Sequence, residues 1–236
     1  MARSIVVVEN FYKDPMAKRA EALSFDYRRR GGKATYPGIN SVETPDVGEA
    51  TEKIASVLGK PIRWFNQTPT TPHSYYRLIM ASDRALDHDI HADSPGAGPF
   101  PQWIGVCYLS LPEDCQGGRG GTVFWKHNRT GLERYPSFEE QARLTRMADI
   151  PNNPQEARKY LLQEGLDRSL WAEARRVPMA FNRAVFFQAT LFHSHGESFG
   201  NTKENCRLIQ AFIFQELDYF AQLVISSQHS KPKVFW

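Results

Sequence analysis

The residues best suited to chemistry lie in the segment 84–98, RALDHDIHADSPGAG, which places two histidines and three aspartates directly before a proline-glycine turn. Within it, His91 and Asp93 are two residues apart. In an extended strand such residues project to the same face, so the imidazole and the carboxylate can bind one cation. The alternative is that both are loop polar residues and that Asp93 caps the Ser-Pro-Gly turn. Because this two-residue pattern is common by chance, a metal site needs a third ligand.

A third ligand is available where the apolar run AVFFQATLF ends at His193 and His195. Two imidazoles and one carboxylate form the facial set that holds non-haem Fe(II) and leaves adjacent positions open. The two histidines have the same strand parity, so the face argument does not choose between them. We choose His193 because it directly ends the apolar run, although the spacing to Arg207 mildly favours His195.

Arg207 opens another apolar run, RLIQAFIFQEL. An arginine that points into an apolar barrel is costly unless it meets an anion, and a bidentate carboxylate is the natural partner. The alternative is that Arg207 lies at the strand mouth and reaches water or a nearby acidic residue. With the metal-ligand pattern upstream, we favour the carboxylate-binding role.

The N-terminal part of the sequence predicts a strand in SIVVVENF followed by two helices. The first helix has Asp14 as N-cap and Pro15 at its first position. The second has Thr44 as N-cap, Pro45 at its first position and a stop at Gly59. We expect both helices to support a sheet.

From about Ile62 the sequence consists of short apolar or alternating runs separated by turns, which predicts an antiparallel sandwich or barrel. A polar segment rich in helix formers, including SLWAEARR, interrupts these runs and predicts a helical insertion. We therefore expect one domain over 1–236, with these parts: 1–61, a strand and supporting helices; 62–127 and 177–217, the β core; 128–176, the helical insertion; 218–236, a C-terminal extension.

The motifs resemble, in their order, those of the Fe(II)/2-oxoglutarate-dependent dioxygenases. That order is HxD, WIGVCYLSLPEDCQGGRGGTVFW, NRAVFF, FHSH and RLIQAFIF, and it covers Tyr75 to Glu216 without the insertion. The chain is most similar to the prolyl-hydroxylase-like branch and to small bacterial members with a YPG element, here Tyr36-Pro37-Gly38. The resemblance implies a mainly β, α+β fold: a double-stranded β-helix (jelly-roll, cupin-like) core with N-terminal helices and a helical insertion.

The resemblance also implies a catalytic iron held by His91, Asp93 and His193. Arg207 would grip the distal carboxylate of the cosubstrate 2-oxoglutarate, and Tyr108 would be a second cosubstrate contact. Because Asp93 is intact rather than replaced by a small residue, hydroxylation with O2 is favoured over halogenation. Desaturation or ring closure, a cupin-like metalloenzyme without 2-oxoglutarate, and a catalytically silent jelly-roll binding protein stay open as alternatives.

The composition of the chain limits the classes of binding partner that we expect. The chain has 236 residues and a formal net charge of only +3, which argues against nucleic acid. No window approaches the length of a membrane span and the start lacks a signal peptide, so we expect a cytoplasmic monomer or homodimer with no membrane partner. The expected substrate is a small molecule, such as an amino acid or a biosynthetic intermediate, and Arg77 and Arg183 are candidates to bind a substrate carboxylate.

Overall fold

Strands dominate the computed structural model, which describes residues 4–29, 36–66, 72–83, 89–94, 102–136, 140, 160–161 and 163–217. The strands in chain order are β1 (Ile5–Val8), β2 (Tyr27–Arg28), β3 (Ile39–Ser41), β4 (Ile62–Trp64), β5 (Ser74–Ile79), β6 (Trp103–Tyr108), β7 (Thr122–His127), β8 (Trp171–Val177), β9 (Ala184–Gln188), β10 (His193–His195) and β11 (Arg207–Glu216). The helices are α1 (Pro15–Ser24) and α2 (Gly48–Leu58).

Two antiparallel sheets are present within the described ranges. The large sheet has the order β1-β9-β6-β11-β5-β3-β2, with β4 also paired to β11, and the small sheet has the order β10-β7-β8. β11 is the central strand of the large sheet, because it pairs with β5 on one side and β6 on the other. An isolated bridge between His91 and His193 adds the segment around His91 to the edge of the small sheet.

The sheets face one another across an apolar core, which we call the inter-sheet core. It contains Val185 and Ile209 from the large sheet and Phe124 and Val177 from the small one. Since alternate residues of a strand share a face, Arg207 points to the same side of β11 as Ile209, which is the interior. The β core predicted from the sequence is therefore confirmed, and one functional candidate projects into it.

The opposite face of the large sheet is covered by the two helices, as the sequence predicted. Ala22 of α1 and Ile54 of α2 are fully buried against this face. α1 begins as expected, with the Asp14 carboxylate accepting a hydrogen bond from the Ala17 N–H at 2.9 Å. The helices thus hold the large sheet from behind and leave its interior face free to form the site.

The start of α2 differs from the sequence prediction, which had Thr44 as N-cap and Pro45 as first residue. The helix begins at Gly48 with Val47 as N-cap, and no side chain caps it. Packing of Ile54 on the sheet sets the phase of this helix, so the favourable Thr-Pro pair does not decide its start. The predicted end is confirmed, since Gly59 has a left-handed φ of 69°.

The prediction of helix for SLWAEARR is wrong, because Trp171–Val177 form strand β8. This strand pairs with β7 and buries only its two end residues, while the polar residues between them are exposed. Charged side chains on an edge strand protect it from pairing with further strands. The same residue types are strong helix formers, which explains the wrong prediction. Residues 137–139, 141–159 and 162 of the predicted insertion and the tail 218–236 lie outside the described residues, so the predictions for them stay predictions.

Neither described helix is long and apolar enough to cross a membrane.

Candidate metal centre

The candidate metal centre forms where the loop around His91 pairs with β10. His91 and His193 are directly opposite, and each backbone N–H donates to the other's carbonyl, at 3.0 and 2.8 Å. Directly opposed residues of an antiparallel pair project to the same face, and the two imidazole centroids are 4.4 Å apart. Cross-strand register therefore groups His193, and not His195, with His91.

Asp93 completes the group from the same loop. Its carboxylate oxygens lie 3.2 Å from Nε2 of His193 and 3.9 Å from Nε2 of His91. The three ligand atoms all lie within 4.8 Å of one another. Burial raises the pKa of the Asp93 carboxyl, but the hydrogen bond to His193 and the charges of His193, His91 and Arg77 outweigh it and lower the pKa to about 2. The carboxylate is therefore ionised at neutral pH, as a metal ligand must be.

Both histidines are oriented by backbone carbonyls. Nδ1 of His91 is 3.1 Å from the Asp89 carbonyl oxygen, and Nδ1 of His193 is 2.9 Å from the Leu191 carbonyl oxygen. A hydrogen bond of this kind keeps a proton on Nδ1, so Nε2, which faces Asp93, is the nitrogen that would bind a cation once its own proton has left. The Asp89 carboxylate is itself bonded to Arg168, which anchors the loop. Two imidazoles and one carboxylate of this spacing fit a divalent transition metal.

Tyr36 also contacts this centre, and the sequence analysis gave it no role. Its ring lies edge-on to His91, with centroids 4.9 Å apart. Tyr36 reaches this position because the chain passes closely over β5 at Gly38, where φ is +90° and a Cβ atom would lie 2.1 Å from the Leu78 carbonyl oxygen. The YPG element therefore brings an aromatic wall to the metal ligands, and the tyrosine-to-glycine spacing was the available signal.

Replacing Gly38 with alanine is expected to destabilise the fold by roughly 2–5 kcal/mol. About 1–2 kcal/mol comes from the unfavourable φ and about 1–3 kcal/mol from the backbone clash. Denaturant unfolding monitored by circular dichroism measures the change. Gly59→Ala is the matched control, because Gly59 also has a positive φ but a Cβ atom there meets nothing within 4 Å. Equal losses in the two variants would contradict the close approach at Gly38.

His195 lies beside the three-residue group rather than within it. Its Nδ1 is 2.6 Å from the Gly196 carbonyl oxygen, and burial together with the charge of Arg207 lowers its pKa to about 4. The imidazole is therefore neutral at physiological pH. It lines a cavity of about 460 Å³ together with Asp89, Trp125 and Arg168. His195 therefore lines this cavity and also lies close enough to Arg207 to be affected by its charge.

Arg207 is a buried cation, 2% exposed, at the start of β11. Its guanidinium donates to the carbonyl oxygens of Gly120 and Gly121. Within the described ranges no carboxylate pairs with it, so the sequence-based alternative of a nearby acidic partner is not supported there. Burial lowers the pKa of Arg207 to about 10, so the group remains charged at neutral pH. A buried guanidinium satisfied only by carbonyls can accept an anionic ligand.

Tyr108 lies next to this guanidinium. Its hydroxyl is 2.7 Å from Oγ1 of Thr122, and both residues are buried. Burial raises the pKa of Tyr108 to about 12, while the bond to Thr122 and the charge of Arg207 oppose the rise. Tyr108 is therefore a neutral hydroxyl beside a buried cation, and Thr122 is a second hydroxyl that the sequence analysis did not select.

A family model described as "Family of unknown function (DUF6445)" matches residues 1–204, which is most of the sequence. The chain belongs to the DUF6445 family. No curated protein matches this DUF6445 chain.

Solved structures resemble this DUF6445 protein in fold. SnoK, a non-heme alpha ketoglutarate dependent carbocyclase from nogalamycin biosynthesis, has a TM-score of 0.51 and 16% identity, covering 92% of this chain and 81% of its own. SnoN, a non-heme alpha ketoglutarate dependent epimerase from the same biosynthesis, has a TM-score of 0.50 and 15% identity, covering 91% and 79%. The DUF6445 chain therefore has the jelly-roll fold of these oxygenases, and the predicted fold class is confirmed.

Proposed function

We propose that this protein is a non-haem Fe(II)- and 2-oxoglutarate-dependent oxygenase that hydroxylates an unactivated C–H bond of a small molecule, such as an amino acid or a biosynthetic intermediate. The proposal rests on the presence of two groups of side chains in the same jelly-roll fold. One is the group of His91, Asp93 and His193, and the other is Arg207, a buried cation that only carbonyl oxygens satisfy.

The proposed roles follow from the donor types. His91, Asp93 and His193 would hold the iron, while Arg207 would bind the distal carboxylate of 2-oxoglutarate and Tyr108 would donate a hydrogen bond to it. Iron with 2-oxoglutarate and O2 supplies the oxidation of the C–H bond, with succinate and CO2 as coproducts. The bond from Nδ1 of His193 to a carbonyl keeps the donor nitrogen oriented, so little reorganisation is required on binding.

The surrounding core keeps water from the site. Phe187 lies against His193 with ring centroids 4.5 Å apart, and Tyr36 covers His91. An apolar, closed surrounding strengthens the attraction between Arg207 and a carboxylate and limits unproductive oxidation.

Ring closure is the second candidate outcome. It begins with the same C–H oxidation, and SnoK is named as a carbocyclase. Desaturation would likewise require only a different fate of the substrate. A cupin-like metalloenzyme without 2-oxoglutarate has no use for a buried arginine in this position, and a silent binding protein has no use for an open metal site. Turnover of 2-oxoglutarate to succinate distinguishes the proposed oxygenase from these two alternatives.

Turnover of the cosubstrate tests the proposal without knowledge of the substrate. Wild-type protein supplied with Fe(II), ascorbate, 2-oxoglutarate and air is expected to form succinate, followed by ¹H NMR. The Asp93→Ala variant is expected to return succinate formation to the protein-free background, because one of three protein ligands is removed. Circular dichroism of the variant controls for folding. Equal rates in both proteins, or no succinate from an iron-loaded wild type, would contradict the proposal.

A further inference from the structure

Arg77 is a second cation inside the jelly roll, on β5, and the proposed chemistry does not use it. It pairs with Ile209 of β11, so strand parity directs it to the interior face that also carries Arg207. The charge of Arg77 adds to the partners that lower the pKa of Asp93, and after burial it also contributes to the lowered pKa of Arg207. Arg77 therefore lies within electrostatic reach of both the metal ligands and the cosubstrate candidate.

Two tyrosines and one amide hold the Arg77 guanidinium in place. The carbon at its centre is 5.3 Å from the Tyr36 ring centroid and 5.2 Å from that of Tyr75. Its Nε donates to Oδ1 of Asn40 at 2.7 Å. Cation–π contacts use the face of a guanidinium and leave its edge free for hydrogen bonds. The two Nη atoms carry the remaining donors, and within the described ranges no ion pair joins them to a carboxylate.

The position of the Arg77 guanidinium is unfavourable for a site that binds only a metal ion. A guanidinium near a metal site repels the incoming cation, and the repulsion is strongest where water is excluded. The side chain is nevertheless held by three neighbours and is only partly exposed to solvent. An anion bound at the edge of the guanidinium would offset the positive charge that the metal adds.

The second sequence candidate for an anion site, Arg183, does not have these properties. Its Nε donates to Oε1 of Glu9 at 2.7 Å, and its Nη1 donates to the Pro178 carbonyl oxygen at 2.7 Å. Its charge is therefore already paired with a carboxylate on another part of the surface. Of the two arginines, only Arg77 faces the interior with its edge available.

We infer that Arg77, held by Tyr36, Tyr75 and Asn40, forms a substrate-recognition subsite for a carboxylate, so that the substrate is a small carboxylic acid. This inference rests on the proposed function and names the chemical class of its substrate. A single guanidinium matches the single charge of a carboxylate and its two oxygens. Tyr36 joins the two sites physically, because it contacts both His91 and Arg77. Binding of the acid would thereby place its neighbouring carbon atoms beside the metal ligands.

The test uses 4-fluorobenzoate as the probe and its neutral relative 4-fluorobenzamide as the ligand control, both followed by ¹⁹F NMR. The full chain is first loaded with Zn(II) and saturating 2-oxoglutarate, so that the cosubstrate subsite is filled. Wild type is expected to bind 4-fluorobenzoate. Arg77→Gln is expected to bind it at least about ten-fold more weakly, which corresponds to the loss of a hydrogen bond to a charged group. Binding of the amide is expected to be unchanged, and Arg77→Lys is expected to recover part of the affinity.

Arg63→Gln is the matched protein control, since Arg63 is an exposed arginine of the same sheet that donates a hydrogen bond to the Gln215 side chain. Thermal unfolding of each variant excludes loss of fold, and Zn(II) affinity of Arg77→Gln is expected to be equal to or higher than that of wild type. Two results overturn the inference: no probe binding by the 2-oxoglutarate-saturated wild type, or equal probe binding by wild type and Arg77→Gln. Probe binding that appears only when 2-oxoglutarate is left out counts as the first result, because it assigns the carboxylate to the cosubstrate subsite. Failure of Zn(II) or 2-oxoglutarate to bind would instead contradict the proposed function, and the probe titration on metal-free protein would still decide the role of Arg77.

Discussion

Alanine at position 193 is expected to abolish Fe(II) binding, whereas alanine at position 195 is expected to leave it intact. His193 lies opposite His91 in the small sheet and 3.2 Å from the Asp93 carboxylate. His195 is turned to the Gly196 carbonyl and to the adjoining cavity. Loss of a residue that only orients a ligand already weakens metal binding about 10- to 100-fold, so loss of a ligand is expected to cost more than about 100-fold.

Anaerobic titration with Fe(II), or with Co(II) as a spectroscopic substitute, measures both variants against wild type. The pair is well matched, because each change removes one imidazole from the same three-residue strand β10. His195→Ala tests in addition whether the cavity wall affects turnover without affecting the metal. If His195→Ala lost the metal and His193→Ala retained it, the ligand set derived from the cross-strand register would be wrong.

Replacing Arg207 with glutamine is expected to weaken 2-oxoglutarate binding roughly 10- to 100-fold while metal affinity is retained. A hydrogen bond between charged groups contributes about 1.5–3 kcal/mol, and a ten-fold change corresponds to about 1.4 kcal/mol. The metal ligands are on other segments and do not contact the guanidinium through any bond recorded among the described residues. Isothermal titration of 2-oxoglutarate into Zn(II)-loaded protein measures the effect.

Glutamine at position 207 also removes bonds to the Gly120 and Gly121 carbonyls, so a loss of stability is expected alongside. Arg207→Lys controls for this, because it keeps the charge and loses the bidentate geometry, and its affinity is expected to lie between those of wild type and Arg207→Gln. Denaturant unfolding reports the stability of each variant separately from its affinity. A 2-oxoglutarate affinity in Arg207→Gln equal to that of wild type would remove the role proposed for this residue.

Local sequence patterns predicted the elements well where packing and propensity agree. α1 has its Asp14 cap and Pro15, and the apolar runs after Ile62 became strands of the two sheets. β8 was missed because its exposed charged residues, paired with β7, follow no alternation that marks a strand. Tertiary pairing overrides local propensity there, and no local pattern contains that information.

The site was harder to predict than the fold, for a physical reason. The two-residue spacing of His91 and Asp93 is a local property, so the sequence reveals it directly. The choice between His193 and His195 depends on which of them lies opposite His91, and register between distant segments cannot be read from parity. The same limit applies to Arg77, whose interior position follows from its pairing with Ile209 rather than from any neighbour in sequence.

Anaerobic addition of Fe(II) and then 2-oxoglutarate to the wild-type protein tests the central claim most directly, because chelation of iron by the cosubstrate gives a weak visible charge-transfer band. The account predicts that this band appears in wild type and is absent from the His91→Ala/Asp93→Ala double variant. A wild-type protein that binds both ligands without forming the band, or a band that survives in the double variant, would contradict a metal and cosubstrate site at His91, Asp93 and His193.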